Sequence, residues 1–199
     1  MILPNDFDNA KSFDGRGGFT PLPVGPHVCR IIGARCTKSR NGNDMIEIAF
    51  DIAEGSEFDG RFQNRFNENR LMRADAKWPN DGMFRTGILT ADGKTSGYFK
   101  GLITAVEESN AGYSFKAADA NEETLKGKMI GFNFGEEEFK GNDGKIRTGV
   151  KAFYAISVKT AREGIEPPKK KEYRPKPGEV LTSQGFTEVP ESDLPPLPF

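Results

Sequence analysis

Histidine, cysteine and long apolar runs are scarce in this sequence, and each scarcity excludes a class of protein. No apolar run approaches the roughly 20 residues that are needed to cross a bilayer. The N-terminus has neither the charged region nor the apolar region of a signal peptide. We therefore expect a soluble, cytoplasmic protein that makes no contact with a membrane.

The few metal-binding and disulfide-forming residues are badly placed for either purpose. Cys29 and Cys36 are seven residues apart in a predicted strand, so they would lie on opposite faces and roughly 23 Å apart. A disulfide requires Cα atoms within roughly 7 Å of each other, so we expect free thiols. With His27 as the single histidine, a Cys/His zinc site is poorly supported. We predict no metal and no cofactor.

A strong net charge is also absent, since the chain carries −1 overall. A nucleic-acid-binding domain is typically strongly basic. The charge is unevenly distributed, however: residues 159–178 hold seven Lys or Arg against three Glu, and residues 179–199 hold four acids and no base. This composition predicts a basic, proline-rich linker at 159–178 and an acidic tail at 179–199 that buries too little apolar surface to fold alone.

The end of this tail carries apolar side chains for which an unfolded segment has no internal use. Two interpretations remain, an ordinary frayed terminus and a segment that docks into a partner protein. A basic linker between the tail and a folded domain favours docking. The candidate docking residues are Asp193, Leu194, Leu197, Pro198 and Phe199.

The rest of the chain has the composition of a β-rich domain. Apolar residues make up 36% of the sequence, and the 23 Gly and 13 Pro favour short elements and many turns over a helical bundle. We predict a loosely held N-terminal arm at residues 1–20 and one domain at residues 21–158.

Alternating apolar residues predict the first three strands. Residues 28–36 alternate with apolar groups on both faces, and residues 46–52 place Ile and Phe on one face only. Asn41-Gly42 between them is typical of a β-hairpin. Residues 61–66, in which arginines alternate with aromatics, predict a third, shorter strand.

One helix and a second hairpin complete the predicted fold. Apolar residues at helical spacing predict a helix at 96–108, and alternation predicts strands at 130–135 and 146–158. Residues 71–89 show no clear pattern and are expected to form a loop with a helical turn. The order β-β-β-α-β-β is that of the OB-fold, a five-stranded Greek-key barrel. The predicted class is all-β with one main helix.

Catalytic motifs are weak throughout. Gly93-Lys94-Thr95 resembles the end of a P-loop, but Ile88 occupies the position of the first glycine. Residues 136–138 are three consecutive glutamates, which could serve a nuclease or another metal enzyme but are more typical of a solvated edge. No Ser/His/Asp set can be built around His27. We therefore predict that the protein is not an enzyme.

Binding a single nucleic-acid strand without sequence preference requires cations along the backbone path and flat faces for the bases. Three predicted strands, the first hairpin turn and the predicted loop at 71–89 supply both. The candidates are Arg35, Lys38, Arg40, Arg61, Phe62, Arg65, Phe66, Trp78, Arg147, Lys151 and Phe153.

Two observations limit this candidate set. If Arg61 and Arg65 point outward from their predicted strand, Phe62 and Phe66 point inward, and the better stacking residues are Phe153 and Trp78. The second predicted strand also places Glu47 and Asp51 on its outer face, where we expect them to pair with Arg61 and Arg65.

Several motifs together resemble a phage-encoded family of single-stranded DNA-binding proteins, long described only as a domain of unknown function. The motifs lie at residues 37–46, 50–52, 107–113, 125–128 and 135–138, and the resemblance covers residues 21–158. It implies an OB-fold protein without catalytic residues that coats single-stranded DNA during phage replication or recombination, in the cytoplasm of a host bacterium.

The tail is similar to that of bacterial single-stranded DNA-binding proteins, which end in Pro-Phe and dock replication and repair enzymes. Pro198-Phe199 matches those last positions, whereas Leu194-Pro195-Pro196-Leu197 stands where such tails carry aspartates. The resemblance implies replication or recombination proteins as partners, and the sequence leaves a homodimer open. The alternative hypothesis is an OB-fold adaptor that binds proteins and no nucleic acid.

Overall fold

A computed structural model of the chain describes residues 20–53 and 57–175. All but the last residue of the predicted N-terminal arm, and the whole predicted acidic tail, lie outside the described residues. Asp193, Leu194, Leu197, Pro198 and Phe199 are therefore outside them too.

The described residues form five strands and three α-helices. Their bounds are β1 Gly25–Lys38, β2 Asp44–Ile52, α1 Arg61–Met72, β3 Met83–Gly87, α2 Gly97–Ser109, β4 Met129–Lys140, β5 Ile146–Ile156 and α3 Val158–Glu163. Short 3₁₀ turns at Asn80–Gly82 and Glu122–Leu125 precede β3 and β4. Within the described ranges, no helix is long and apolar enough to cross a membrane.

The five strands form one antiparallel sheet in the order β3-β2-β1-β4-β5. The first three strands are consecutive neighbours and β4 returns to lie beside β1, which is the Greek-key arrangement. The predicted β-rich class and the five strands of the sheet are confirmed, whereas helix α1 stands between β2 and β3, where the predicted order has no helix. β3 and β5 remain the two edges of the sheet, so the sheet is not closed into a barrel.

The predicted third strand at residues 61–66 is wrong, because these residues form the start of helix α1. Phe58, Phe62 and Phe66 recur every four residues, which is helical spacing, and Phe58 and Phe62 are buried. The Asp51 carboxylate on β2 accepts hydrogen bonds from the backbone N–H groups of Phe62 (2.8 Å) and Gln63 (2.9 Å). A negative charge that satisfies two otherwise unpaired N–H groups stabilises a helix start. The third strand of the sheet is β3, within the region expected to be a loop.

The core lies between the sheet and the helices, with aromatic rings at its centre. The Phe50 ring lies 5.6 Å from that of Phe62 and 4.5 Å from that of Phe132, measured between centroids. Helix α2 begins and ends within one residue of its predicted bounds and buries Leu102 and Val106 completely. Cys29 is buried and Cys36 exposed, and both are free thiols as predicted.

The chain turns back onto the sheet after β5. Helix α3 lies against β1 and β4, and the residues that follow it run along β4. Lys171 donates its backbone N–H to the carbonyl of Glu136 and accepts from the N–H of Glu138, both at 2.8 Å. We call residues 165–174 the β4-bound segment. It belongs to the stretch that the sequence assigns to a linker.

Candidate nucleic-acid interface

Strands β4 and β5 extend beyond the rest of the sheet. β1 pairs with β4 only as far as Gly25 opposite Phe134, whereas the ladder between β4 and β5 continues to Lys140 opposite Ile146. The edge of β4 that β1 leaves open is occupied by the β4-bound segment, whose bridge joins Lys171 to Glu137 in parallel. Three lengths of extended chain therefore lie side by side at this end of the molecule.

A groove of about 1050 Å³ lies between the hairpin of β4 and β5 and the β4-bound segment. We call it the hairpin groove. Its cations are Lys140, Lys151, Lys169, Lys170, Lys171 and Arg174, its acids are Glu137, Glu138 and Glu172, and its aromatics are Phe139, Phe153 and Tyr173. The lining is thus +3 in a chain whose net charge is −1.

A second cavity of about 640 Å³ continues the hairpin groove between the two edge strands. We call it the edge groove. It shares Glu137, Lys151, Phe153 and Lys171 with the hairpin groove, and β3 contributes Arg85. Tyr98 at the start of α2 also lines it and is 64% exposed. Cations and aromatic rings therefore follow one path, from the open edge of the sheet to the end of the hairpin.

Three of the lysines along this path form ion pairs with two carboxylates. Glu137 accepts from Nζ of Lys151 at 2.7 Å and from Nζ of Lys171 at 2.6 Å. Burial raises the pKa of Glu137, but the two lysines outweigh burial and leave that pKa below its usual value. Glu138 forms an ion pair with Lys170 at 2.6 Å, and this hydrogen bond lowers the pKa of Glu138. The groove is therefore less positive than its count of lysines suggests.

Among the residues that the sequence predicts, Lys151 and Phe153 of β5 line both grooves. Arg147 lies at the start of β5 and forms an ion pair with Asp143 in the adjoining turn, at 2.8 Å. Arg147 therefore lies at the tip of the hairpin and does not line either groove.

The predicted residues of α1 lie in a different place. Arg61, Phe62 and Arg65 line another cavity of about 650 Å³, which shares Phe139 and Lys151 with the hairpin groove. Phe62 is 1% exposed and packs in the core, so its place among the candidate DNA-binding residues is wrong, whereas the expectation that it points inward is confirmed. Arg65 forms two hydrogen bonds with the Asp81 carboxylate, at 2.8 and 2.9 Å.

The expected pairing of Glu47 and Asp51 with Arg61 and Arg65 is also wrong. Glu47 accepts from Arg35 at 2.6 Å and from Arg85 at 2.7 Å, and Asp51 caps helix α1. Burial raises the pKa of Glu47, but the two guanidinium groups outweigh this and hold that pKa below its usual value. Both carboxylates therefore act within the fold, where they join β2 to its neighbours.

Phe66 and Trp78 pack on each other, with ring centroids 5.5 Å apart. The indole Nε1 of Trp78 donates to the carbonyl of Gly82 at 3.0 Å. Both rings are half-buried and lie outside the hairpin and edge grooves. The structure therefore gives Trp78 a role in holding the loop before β3 against helix α1.

The candidates at the first hairpin turn are distant along β1 from the hairpin groove. Lys38 ends β1 and forms an ion pair with Asp44 at 2.7 Å, and Arg40 is exposed in the turn. The hairpin groove lies beyond Gly25, at the other end of β1. Lys38 and Arg40 thus lie apart from the hairpin and edge grooves.

Several groove residues are missing from the sequence prediction. They are Arg85, Tyr98, Phe139, Lys140, Tyr154, Lys169, Lys170, Lys171, Tyr173 and Arg174. The sequence shows Lys169-Lys170-Lys171 as a basic segment, and the signal for its docking is Gly135 on β4, which leaves room for Pro168. Arg85 and Tyr98 line the edge groove, and the sequence pattern reveals neither strand β3, which carries Arg85, nor the groove itself.

In the part of the chain that the structure describes, no group of three or more His, Cys, Asp or Glu side chains could hold a metal ion. No protein-family model matches the chain, and a search of curated proteins likewise found no match.

Proposed function

We propose that this chain is a sequence-nonspecific single-stranded DNA-binding protein with an OB-type architecture. The observation that carries the proposal is the continuous path of cations and aromatic rings through the hairpin and edge grooves. Cations neutralise phosphates and rings stack on bases, and each stacked base contributes roughly 1 to 3 kcal/mol. Stacking uses the face of a base and leaves its edges unread, so such a path binds without sequence preference.

The arrangement of the sheet supports the OB-type architecture. The Greek-key order places β3 and β5 at the two edges, and the edge groove lies between them. An OB-fold is a partly open five-stranded barrel whose face and inter-strand loops bind oligonucleotides. On this proposal, the edge groove is the open side of the barrel and the turn between β4 and β5 is one of the binding loops.

Local charge supports the proposal in spite of the net charge. Screening limits electrostatic attraction to about 10 Å at 0.1 M salt, so a phosphate responds to the nearby lysines and not to the whole chain. Lys169 and Arg174 are exposed on the wall of the hairpin groove. Phosphates that enter the groove can also replace the carboxylates of Glu137 and Glu138 as partners of the other lysines.

The biological role that we propose follows the sequence resemblance. The protein would coat and protect single-stranded DNA during phage replication or recombination, without catalysis of its own. The acidic tail, which lies outside the described residues, would recruit partner proteins.

One observation favours a second candidate, an OB-fold adaptor that binds protein and no nucleic acid. Lys151, Lys170 and Lys171 are already paired with glutamates, so the structure needs no DNA to neutralise them. The two functions make opposite predictions for a titration with oligonucleotide.

The test is fluorescence anisotropy of labelled oligo-dT and of a matched duplex, titrated with the full chain over a series of salt concentrations. We expect preference for the single strand and a log-linear loss of affinity with salt, with a slope of about −0.7 for each phosphate contact. If the protein does not bind oligo-dT at low salt, the proposed DNA binding is refuted and the adaptor function is favoured. Equal affinity for the duplex would contradict single-strand binding.

A further inference from the structure

The β4-bound segment can lie on β4 because the outward positions of this strand carry little side chain. Gly131, Asn133 and Gly135 alternate with the core residues Phe132 and Phe134. A Cβ atom on Gly131 would lie 2.9 Å from Cβ of Ala161, and one on Gly135 would lie 2.6 Å from Cγ of Pro168. Both distances are shorter than van der Waals contact allows. The two glycines therefore leave the space that α3 and the segment occupy.

Asn133, between the two glycines, fixes the segment by a hydrogen bond. Its side chain is completely buried, and Nδ2 donates to the carbonyl of Glu166 at 2.9 Å and to Oη of Tyr154 at 2.8 Å. A buried polar group is costly unless it is hydrogen-bonded. This bond therefore favours the docked position of the segment over a detached one.

The segment supplies most of the positive charge of the hairpin groove. It contributes Lys169, Lys170, Lys171 and Arg174 with one acid, Glu172. The remaining lining carries two lysines and two glutamates, so its charge is zero. Without the segment the groove would lose its attraction for phosphate together with one aromatic ring.

We infer that docking of the β4-bound segment sets the affinity of the groove for single-stranded DNA, and that Gly135 is the positioning residue that permits docking. The inference rests on the proposed function. A protein in which the segment is detached keeps its sheet and its core but has lost one wall of the binding site. The segment is thus part of the binding domain and not only a connection to the tail.

The experiment uses the full chain with Gly135→Ala, which places a Cβ against the rings of Pro168 and Phe153. The matched control is Gly33→Ala on β1, where a Cβ would meet nothing within 4 Å. Detachment is measured as the rate of tryptic cleavage at Lys169, Lys170 and Lys171, with the cut bonds located by mass spectrometry. Affinity is measured by anisotropy with oligo-dT.

For Gly135→Ala we expect faster cleavage within the segment, a loss of affinity of about tenfold and a less steep dependence on salt, because phosphate contacts are lost. The control should match the wild-type protein in both measurements. Because the added Cβ also lies 3.0 Å from the ring of Phe153, which lines both grooves, Pro168→Gly is measured alongside Gly135→Ala and should show the same faster cleavage and loss of affinity. That change removes the proline ring over Gly135 without altering the sheet.

The outcomes separate this inference from the proposed function. Absence of single-strand binding by the wild-type protein would refute the proposed function. Binding by the wild-type protein, combined with faster cleavage and unchanged affinity in the variant, would refute the inference alone. A cleavage rate equal to that of Gly33→Ala would show that Gly135 does not position the segment.

Discussion

The ammonium group of Lys171, in the β4-bound segment, lies 2.6 Å from the carboxylate of Glu137 on β4. The same carboxylate also accepts a hydrogen bond from the ammonium group of Lys151 on β5. One glutamate therefore links three lengths of extended chain across the floor of the hairpin groove. It stabilises the docked segment and at the same time competes with phosphate for two lysines.

Replacing this glutamate should strengthen DNA binding. Glu137→Gln keeps the shape of the side chain and removes its charge, while the backbone hydrogen bonds of Lys171 hold the segment in place. We expect several-fold tighter binding of oligo-dT at low salt, and a smaller gain at high salt because of screening. The measurement is an anisotropy titration at two salt concentrations.

The control for Glu137→Gln is Glu163→Gln. Glu163 also pairs with a lysine, Lys159, but at an exposed site on helix α3 outside both grooves. It should leave the affinity unchanged. Weaker binding by Glu137→Gln would mean that the carboxylate matters more for docking the segment than for competing with phosphate.

Tyr98 provides the cleanest test of base stacking, because its ring is exposed on helix α2 and contributes little to the core. Loss of one stacked base costs roughly 1 to 3 kcal/mol, so Tyr98→Ala should weaken oligo-dT binding by about fivefold or more. Tyr98→Phe keeps the ring and should bind like the wild-type protein. If both variants weaken binding equally, the hydroxyl group and not the ring makes the contact.

The cap of helix α1 by Asp51 can be tested through stability. Asp51→Ala leaves two backbone N–H groups at the helix start without their acceptor, and the loss of such a cap costs about 1 to 2 kcal/mol. We expect this decrease in the free energy of unfolding, measured with urea. Asp75→Ala, at an exposed site, is the matched control and should change stability by less than about 0.5 kcal/mol.

The ion pairs of Glu47 with Arg35 and Arg85 should make the stability of the protein depend on pH. The pKa of Glu47 is below the usual value in the folded protein because Arg85 and Arg35 outweigh the effect of burial. Its contribution to stability is therefore complete above the unfolded-state pKa and is lost as the pH falls through the folded-state pKa. Glu47→Gln should lower stability at neutral pH by less than about 1 kcal/mol, because the guanidinium groups are partly exposed.

The measurement for Glu47→Gln is the free energy of unfolding between neutral and acidic pH. The wild-type protein should lose more stability on acidification than the variant, and the two curves should converge at low pH. Parallel curves would show that the ion pairs of Glu47 contribute nothing to the pH dependence.

Local sequence patterns predicted those elements whose patterns are long enough to be unambiguous. β2 has nine residues and helix α2 has thirteen, so period two and period 3.6 can be told apart. In residues 61–66 the spacing of the aromatic residues fits both a strand and a helix. The helix is stabilised by the carboxylate of Asp51, which lies outside this stretch of sequence. β3 has five residues, too few for alternation to be recognised.

The candidate site was predictable where one strand carries it and not where distant segments meet. Lys151 and Phe153 lie on one strand, which alternation predicts at residues 146–158. Lys169 and Tyr173 join them because a later part of the chain packs on β4, where Gly135 leaves room for Pro168. A charge pattern in the sequence shows that a segment is basic, but not the surface on which it lies.

The docked position of Arg174 has a consequence for whatever the end of the chain carries. Arg174 lies in the wall of the hairpin groove, so residues 176–199 are joined to the domain beside the proposed DNA path. Covalent attachment at this point raises the local concentration, near that path, of any molecule that residues 176–199 bind. A partner held by the last residues would therefore meet the bound strand far more often than it would by free diffusion.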